Sequence, residues 1–182
     1  MLQNHLSRLF FLSKGCKQAP LEHTRGLVRW GHPDGYFLKP NGQKATDNYT
    51  KTELKKEFGG SGRLYPILRE CSMRCHILMA LAFYGERPTY TDKNGKPYVG
   101  ICHHLIPDKL DYSPANLLCW LTREEHTEAD RRQSALRQVL PDMHALSYDD
   151  HRRLQDPRVT SRITFEIDLK KISQQYGTNN VL

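Results

Sequence analysis

His103 and His104 stand side by side at the end of an apolar stretch, Tyr98-Val99-Gly100-Ile101-Cys102. Twelve positions past His104 comes Asn116-Leu117, and His126 follows. Imidazole, imidazole, amide and imidazole thus fall within 24 residues. Hydrolysis of a phosphodiester requires an activated water, neutralised charge on the phosphoryl oxygens and help for the departing sugar oxygen. A histidine near its ordinary pKa takes the water's proton, and a divalent cation held by imidazoles steadies both phosphate and leaving group. The set therefore supplies the parts of a metal-dependent phosphodiesterase.

The elements around these residues decide which of them meet. Asn94-Gly95, between Thr89-Tyr90-Thr91 and Tyr98-Val99, is a hairpin-turn dipeptide that delivers the chain into the two histidines. Neighbours on a strand point to opposite faces, so one of His103 and His104 faces the cation and the other the substrate water. After them lies a loop rich in turn residues, Pro107, Asp108, Asp111, Ser113 and Pro114. Asn116 ends it, and its amide can bridge backbone groups across the turn. Leu117 to Leu121 reads as a strand. Thr122 with Glu125 forms a capping box, which predicts a helix from Arg123 to about Gln138. His126 then sits in the first turn, with Asp130 four residues on along the same face to accept its second ring N–H.

A chain of 182 residues buries one respectable core with a small appended module. Residues 1 to 60 are polar and turn-rich, with a small hairpin around Tyr36-Phe37-Leu38; Tyr49 to Phe58 reads as a helix and Gly59-Gly60-Ser61-Gly62 as a linker. Arg63 to Arg69 reads as extended, with Pro66 confining it to a sheet edge. Arg74 to Phe83, apolar on nearly every side, reads as a buried helix in which His76 is structural. Toward the end, Ser147 to Gln155 reads as a short helix, Arg162 to Ile167 alternates like a strand, and Leu169 to Tyr176 reads as a polar helix.

Charge is unevenly placed. The net charge is +7, yet residues 1 to 91 hold 14 Lys/Arg against 7 Asp/Glu while the remainder holds 13 of each. A basic first half ahead of a balanced half with clustered histidines fits a polyanion-binding arm before a metal site, or a solubilising surface. No apolar run approaches the 18 residues of a membrane span. The apolar block Leu9 to Leu12 is shorter than a secretory core and lacks a small-residue cleavage site, so Met1 to Lys17 reads as an ordinary helix. Five cysteines without an export signal argue for reduced thiols in a cytoplasmic compartment. Cys71, Cys75, Cys102 and Cys119 lack C-x-x-C spacing and read as buried thiols rather than zinc ligands.

The order of these pieces resembles the HNH endonucleases, most closely their homing and phage-type branch. The resemblance is carried by the helix from Arg74 to Phe83, Pro88, the segment from His104 to Asn116-Leu117, and Trp120-Leu121-Thr122. It covers about residues 63 to 132. It implies an α+β protein with a ββα-metal (His-Me finger) core. In that fold His104 is the general base, Asn116 a structural clamp, and His103 and His126 the ligands of one divalent cation (Mn, Ni, Zn or Mg). The family cleaves or nicks DNA. Two departures stand out: His103 replaces the usual Asp, and one extra residue lies between Asn116 and Thr122, as a strand bulge would give. The imidazole pair favours Mn, Ni, Co or Zn over Mg, which prefers oxygen donors and keeps its waters.

The expected organisation is a basic, DNA-binding segment at 1–62, a nuclease core at 63–140 and a small helical or mixed tail at 141–182. Arg123, Arg131 and Arg132 on the helix after the motif, and Lys55 and Lys56 on the earlier one, are candidates for phosphate contact, against the alternative of solvated helix faces. Trp30, Tyr36 and Phe37, interleaved with Arg25, Arg29 and Lys39, fit either base stacking or packing. DNA is the expected partner, no membrane is involved, and the chain acts as a monomer or homodimer, since a single centre breaks one strand. The competing readings are a non-catalytic DNA-binding or regulatory protein that keeps the fold, and a stand-alone structural metal module.

Overall fold

The computed structural model describes residues 6–47 and 65–176. The expected helix at Tyr49 to Phe58 and the glycine-rich linker after it lie outside the described residues. The architecture is α+β, with sheets of two or three strands and helices. The chain clusters into two compact units, one of Met1–Arg87 with Asp108–Leu117, the other of Pro88–Pro107 with Leu118–Leu182. These limits differ from those expected at 62 and 140. The 63–140 stretch is divided between the units, and 141–182 belongs with the strands and helix that precede it. No helix of the described residues is long and apolar enough to cross a membrane.

In the first unit, helix α1 (Arg8–Ser13) precedes three short strands, β1 (Lys17–Gln18), β2 (Trp30–His32) and β3 (Tyr36–Leu38), paired antiparallel in that order. Trp30 is buried and its ring stacks on Phe11 with centroids 4.7 Å apart. Phe37 is equally buried. Packing therefore uses both aromatics that might have stacked on bases, while Tyr36 lies under Lys44 Nζ at 3.9 Å. Strands β4 (Ile67–Leu68) and β5 (Met73–Arg74) pair antiparallel with Pro66 just ahead of them, and lead into helix α2 (Cys75–Tyr84). Its Cys75, Leu78, Met79 and Ala80 are fully buried, and His76 lies buried beside the Tyr65 ring.

The second unit holds the histidine pair. Strands β6 (Thr89–Thr91) and β7 (Pro97–Val99) form the hairpin that Asn94-Gly95 predicts, with Gly95 at φ 77°. Strand β8 (Ile101–His104) pairs with β9 (Leu117–Leu121), and helix α3 (Arg123–Val139) packs on β8. Trp120 adopts φ 63° inside β9, a left-handed conformation uncommon for a bulky residue. Gly100 stands opposite: a Cβ there would come within 3.1 Å of Trp120 Cα and 3.3 Å of the Pro88 ring. Tyr90 closes the arrangement by donating its hydroxyl to the Trp120 carbonyl at 2.8 Å.

All five cysteines are free and buried, and Cys102 and Cys119 bring their sulfurs within 3.3 Å between β8 and β9.

The tail differs from expectation. Helix α4 (Tyr148–Gln155) starts at Ser147 as the sequence suggests, but Arg162–Tyr176 is one helix, α5, with no strand. The alternation of Ile163, Phe165 and Ile167 is coincidental, since Ile163 and Ile167 are exposed while Phe165, Leu169 and Ile172 face inward. Those three follow helical spacing. They complete a core with Ile106, Leu136, Leu140, Met143 and Leu154. Ser161 Oγ accepts from Thr164 N at 3.2 Å and so starts the helix.

Helix α3 begins where the capping box places it. Thr122 Oγ1 accepts from Glu125 N at 3.2 Å, and Glu125 Oε2 accepts from Thr122 N at 2.7 Å. Thr122→Ala is expected to cost about 1 kcal/mol, seen as a lower urea midpoint at unchanged slope, with Thr122→Ser recovering most of it. An unmoved midpoint in the alanine variant would show that this cap does not start the helix.

Candidate metal centre

Residues 103, 126 and 130 meet where α3 crosses β8. His103 leaves the strand toward the helix and is 4% exposed. His126 and Asp130, one turn apart on α3, face it. Asp130 stands between the two rings: its Oδ1 is 3.2 Å from His103 Nδ1 and its Oδ2 is 3.3 Å from His126 Nδ1. The rings meet edge to face at 80°, with centroids 5.4 Å apart.

The donor atoms of His103, His126 and Asp130 all lie within 4.8 Å of one another. Two donors at ordinary metal bond lengths in a tetrahedral site are separated by about 3.4 Å, so spacings of 3.2 and 3.3 Å, with all donors within 4.8 Å, fit a shared cation. Two imidazoles and a carboxylate also suit a divalent transition metal chemically. Among the described residues this is the single such group, and no cluster of cysteines forms one.

The electrostatics agree with a cation-binding role. A hydrogen bond from His103 holds the Asp130 carboxyl below the ordinary range, helped by the charge of His126. Burial pushes His126 down, against the pull of Asp130 and with the help of His103, which favours the neutral ring that a metal requires.

Sequence reasoning assigned Asp130 to His126 alone. The carboxylate serves both histidines, so the group is two imidazoles and one acid. Three further residues escaped notice. Gln133, seven residues past His126 on the same helix face, donates from Nε2 to the carbonyls of His104 at 2.6 Å and Leu105 at 2.9 Å. Gln155 Oε1 lies 3.1 Å from His103 Nε2, and Gln155 Nε2 lies 3.0 Å from His151 Nδ1. His151 and Gln155 are four residues apart on α4, but they sit in the stretch that carried the least sequence signal.

The other expected site residues are scattered. His104 follows His103 on β8, so it faces the opposite side of the strand, and it is 7% exposed. Asn116 is fully buried in its own unit, where its side-chain amide donates to the Asp111 carbonyl at 2.9 Å and ties the loop across five residues. Arg123 is half exposed, pairs with Asp92 at 3.0 Å and lies over the Tyr98 ring. Arg131 is partly exposed and grips Glu128 with two hydrogen bonds of 2.8 Å. Lys55 and Lys56 lie outside the described residues.

Arg132 departs from the reading as a phosphate contact. It is 2% exposed, and its guanidinium is used internally: it donates to Glu128 Oε1 at 2.8 Å, the Leu154 carbonyl at 3.2 Å and the Thr160 carbonyl at 2.8 Å. It thereby joins α3, α4 and the start of α5. The helix is not a uniformly solvated basic face; position 132 lies on the inner stripe with Ala129 and Leu136. Hydrogen bonds from Arg131 and Arg132 push the Glu128 carboxyl down to about 2.

Comparison with protein-family models, curated proteins and solved structures returns no match to this chain.

Two consequences follow from the packing around the centre. Arg132→Ala leaves two carbonyls without their donor and is expected to cost about 2 to 3 kcal/mol in urea unfolding, whereas the surface pair lost in Arg131→Ala costs less than about 1 kcal/mol. Equal losses would place Arg132 on the surface after all. His151 is fully buried and accepts and donates only within the protein; burial pushes its pKa down, against the Met143 carbonyl and Asp150. Below its ordinary value of about 6.5 the unfolded chain binds a proton that the folded chain refuses, so acidification through that range destabilises the fold. His151→Gln is expected to flatten the fall in unfolding free energy between about pH 7.5 and 5.5; identical pH slopes for the two proteins would show that His151 takes up its proton as readily in the fold as in the unfolded chain.

Proposed function

We propose that this chain is a metal-dependent DNA endonuclease of the HNH type, with a ββα-metal core made by β8, β9 and α3. The reading is carried by the convergence of His103, His126 and Asp130 beside the second histidine of the pair. It is supported by the order strand, strand, capped helix around them, and by Trp120's positive φ, a local irregularity at which a strand bulge would take up the additional residue of this reading.

In this reading His103, His126 and Asp130 hold one divalent cation. Such a cation would supply charge neutralisation on the phosphoryl and leaving oxygens. His104 takes the proton of the attacking water, a role its position on the strand beside His103 suits because neighbouring side chains divide between two faces. Asn116 clamps the loop that runs from Asp111, and Gln133 fixes the end of β8 by holding the carbonyls of His104 and Leu105. Arg123, one turn before His126 and half exposed, is placed to meet a phosphate if it exchanges Asp92 for the DNA backbone. Arg131 is a second candidate on the same helix. The donor set favours Mn, Ni or Zn over Mg.

The test is a supercoiled-plasmid nicking assay. Wild-type protein is expected to nick better with Mn or Ni than with Mg, and His104→Ala to lose about a hundredfold or more in rate. Cutting that persists in His104→Ala would remove that residue as the base. Equal or better cutting in Mg would overturn the metal preference. DNA binding without cutting under any divalent ion would favour a non-catalytic DNA-binding protein.

A further inference from the structure

We propose that Gln155, held by His151, is a positioning residue for the metal centre: it fixes His103 in the tautomer whose Nδ1 lone pair points at Asp130 and His126. The inference rests on reading that cluster as a metal site.

The argument is an accounting of hydrogens. His151 Nε2 lies 2.6 Å from the Met143 carbonyl, which only accepts, so that nitrogen carries a proton. The ring is fully buried, and burial outweighs the pull of Asp150 in favouring its neutral form, so Nδ1 is an acceptor. Gln155 must therefore turn its amide nitrogen toward His151 Nδ1 at 3.0 Å, and the same nitrogen's second hydrogen reaches the Leu105 carbonyl at 2.9 Å. The opposite orientation would set Oε1 against two acceptors. With the nitrogen so placed, Oε1 faces His103 Nε2 at 3.1 Å and needs a donor. His103 Nε2 supplies it.

Gln133 does not upset this assignment. Its amide nitrogen lies 3.3 Å from His103 Nε2 and 3.4 Å from Gln155 Oε1, but its two hydrogens are directed to the nearer carbonyls of His104 and Leu105, at 2.6 and 2.9 Å. His103 is thus protonated on the side away from the cluster, and its Nδ1 presents a lone pair to Asp130 Oδ1 at 3.2 Å. Two acceptors at that distance need something positive between them: either a proton on Nδ1, as in the hydrogen bond that holds the Asp130 carboxyl low, or a metal ion that replaces it. A divalent cation meets the need and draws His126 into the same shell. A histidine that ligates a metal commonly donates its other ring N–H to a protein acceptor, which orients the ring and raises its basicity. Here that acceptor comes from α4, four residues after the histidine that orients it.

The relay predicts a spectroscopic signature and a binding change. In metal-free, 15N-labelled protein at alkaline pH, His103 is expected to show the Nε2–H tautomer alone. Gln155→Met, similar in shape but without the amide, is expected to mix the tautomers and to weaken Ni2+ binding by calorimetry about 10- to 100-fold. Gln155→Glu, protonated on the oxygen that faces His151 Nδ1, keeps a donor there and an acceptor opposite His103, and is expected to restore a single tautomer and most of the affinity. If wild-type protein binds Ni2+ and both variants bind it equally with an unchanged His103 spectrum, the relay is overturned while the metal reading stands. If wild-type protein takes up no Ni2+, the metal reading fails, and the tautomer spectrum still decides the relay. Should Gln155→Met fail to fold, the wild-type spectrum and Gln155→Glu carry the test: an Nδ1–H tautomer in the wild type overturns it.

Discussion

A single carboxylate fixes the geometry of the histidine cluster. Asp130 reaches His103 on a strand with one oxygen and His126 on its own helix with the other, so the two rings can neither separate nor rotate without breaking a charge-assisted contact. The contact is partly buried on the strand side and open on the acid's side, since His103 is almost wholly covered and Asp130 is exposed. That asymmetry matters physically. A buried imidazole holds its place and a solvent-facing acid remains charged, which together give a rigid donor set that an ion can reach from water.

What makes the contact possible is the way α3 divides its surface. One stripe, Ala129, Arg132 and Leu136, is buried, and the adjoining apolar core is completed by Leu154, Phe165 and Ile172 of the following helices. A neighbouring stripe, His126, Asp130 and Gln133, meets β8. The helix has low overall hydrophobicity, and its inner face is held as much by Arg132 as by apolar atoms. The guanidinium of Arg132 satisfies two carbonyls that would otherwise be buried without donors, and its cation lies over the Phe165 ring. Buried polar groups thus specify how α4 and α5 dock on α3, and the docking is what brings His151 and Gln155 behind His103.

How much of this was legible beforehand depends on the range of the interaction concerned. Local chemistry read well: Asn94-Gly95 makes its hairpin, Thr122 and Glu125 make their box, and Ser147 starts its helix, because each depends on residues within a turn of itself. The pairing of His103 with His126 was also within reach, since a strand and the helix after it leave few ways to pack. Arg162 to Tyr176 was misread where it begins, because period-two alternation over five residues is too short to be distinguished from a helix whose inner residues are Phe165, Leu169 and Ile172. Arg132 was misread because charge alone suggests a surface, and only the helix register shows it on the inner stripe. The Gln155 relay had no local signal at all: the two residues it links, 103 and 155, are 52 apart, and amides are common.

Trp120 is a point of local strain in β9, two residues before the cap that sets where α3 begins. A left-handed residue of this size costs about 1 to 2 kcal/mol, and the strand accepts it while burying Leu117, Leu118, Cys119 and Leu121 around it. Burial of leucine side chains contributes more than that each, at about 1.5 to 3 kcal/mol, so the conformation is affordable without any special compensation. Because the helix starts where Thr122 stands, each side chain on it rotates about the axis by 100° for every residue by which that start moves. A start one residue earlier or later would turn Glu125 or Thr127, rather than His126, toward β8. The cap at Thr122 is therefore as much a condition of the cluster as the donors themselves, and Trp120, with the small Gly100 against it and the hydroxyl of Tyr90 on its carbonyl, leads the strand into that cap.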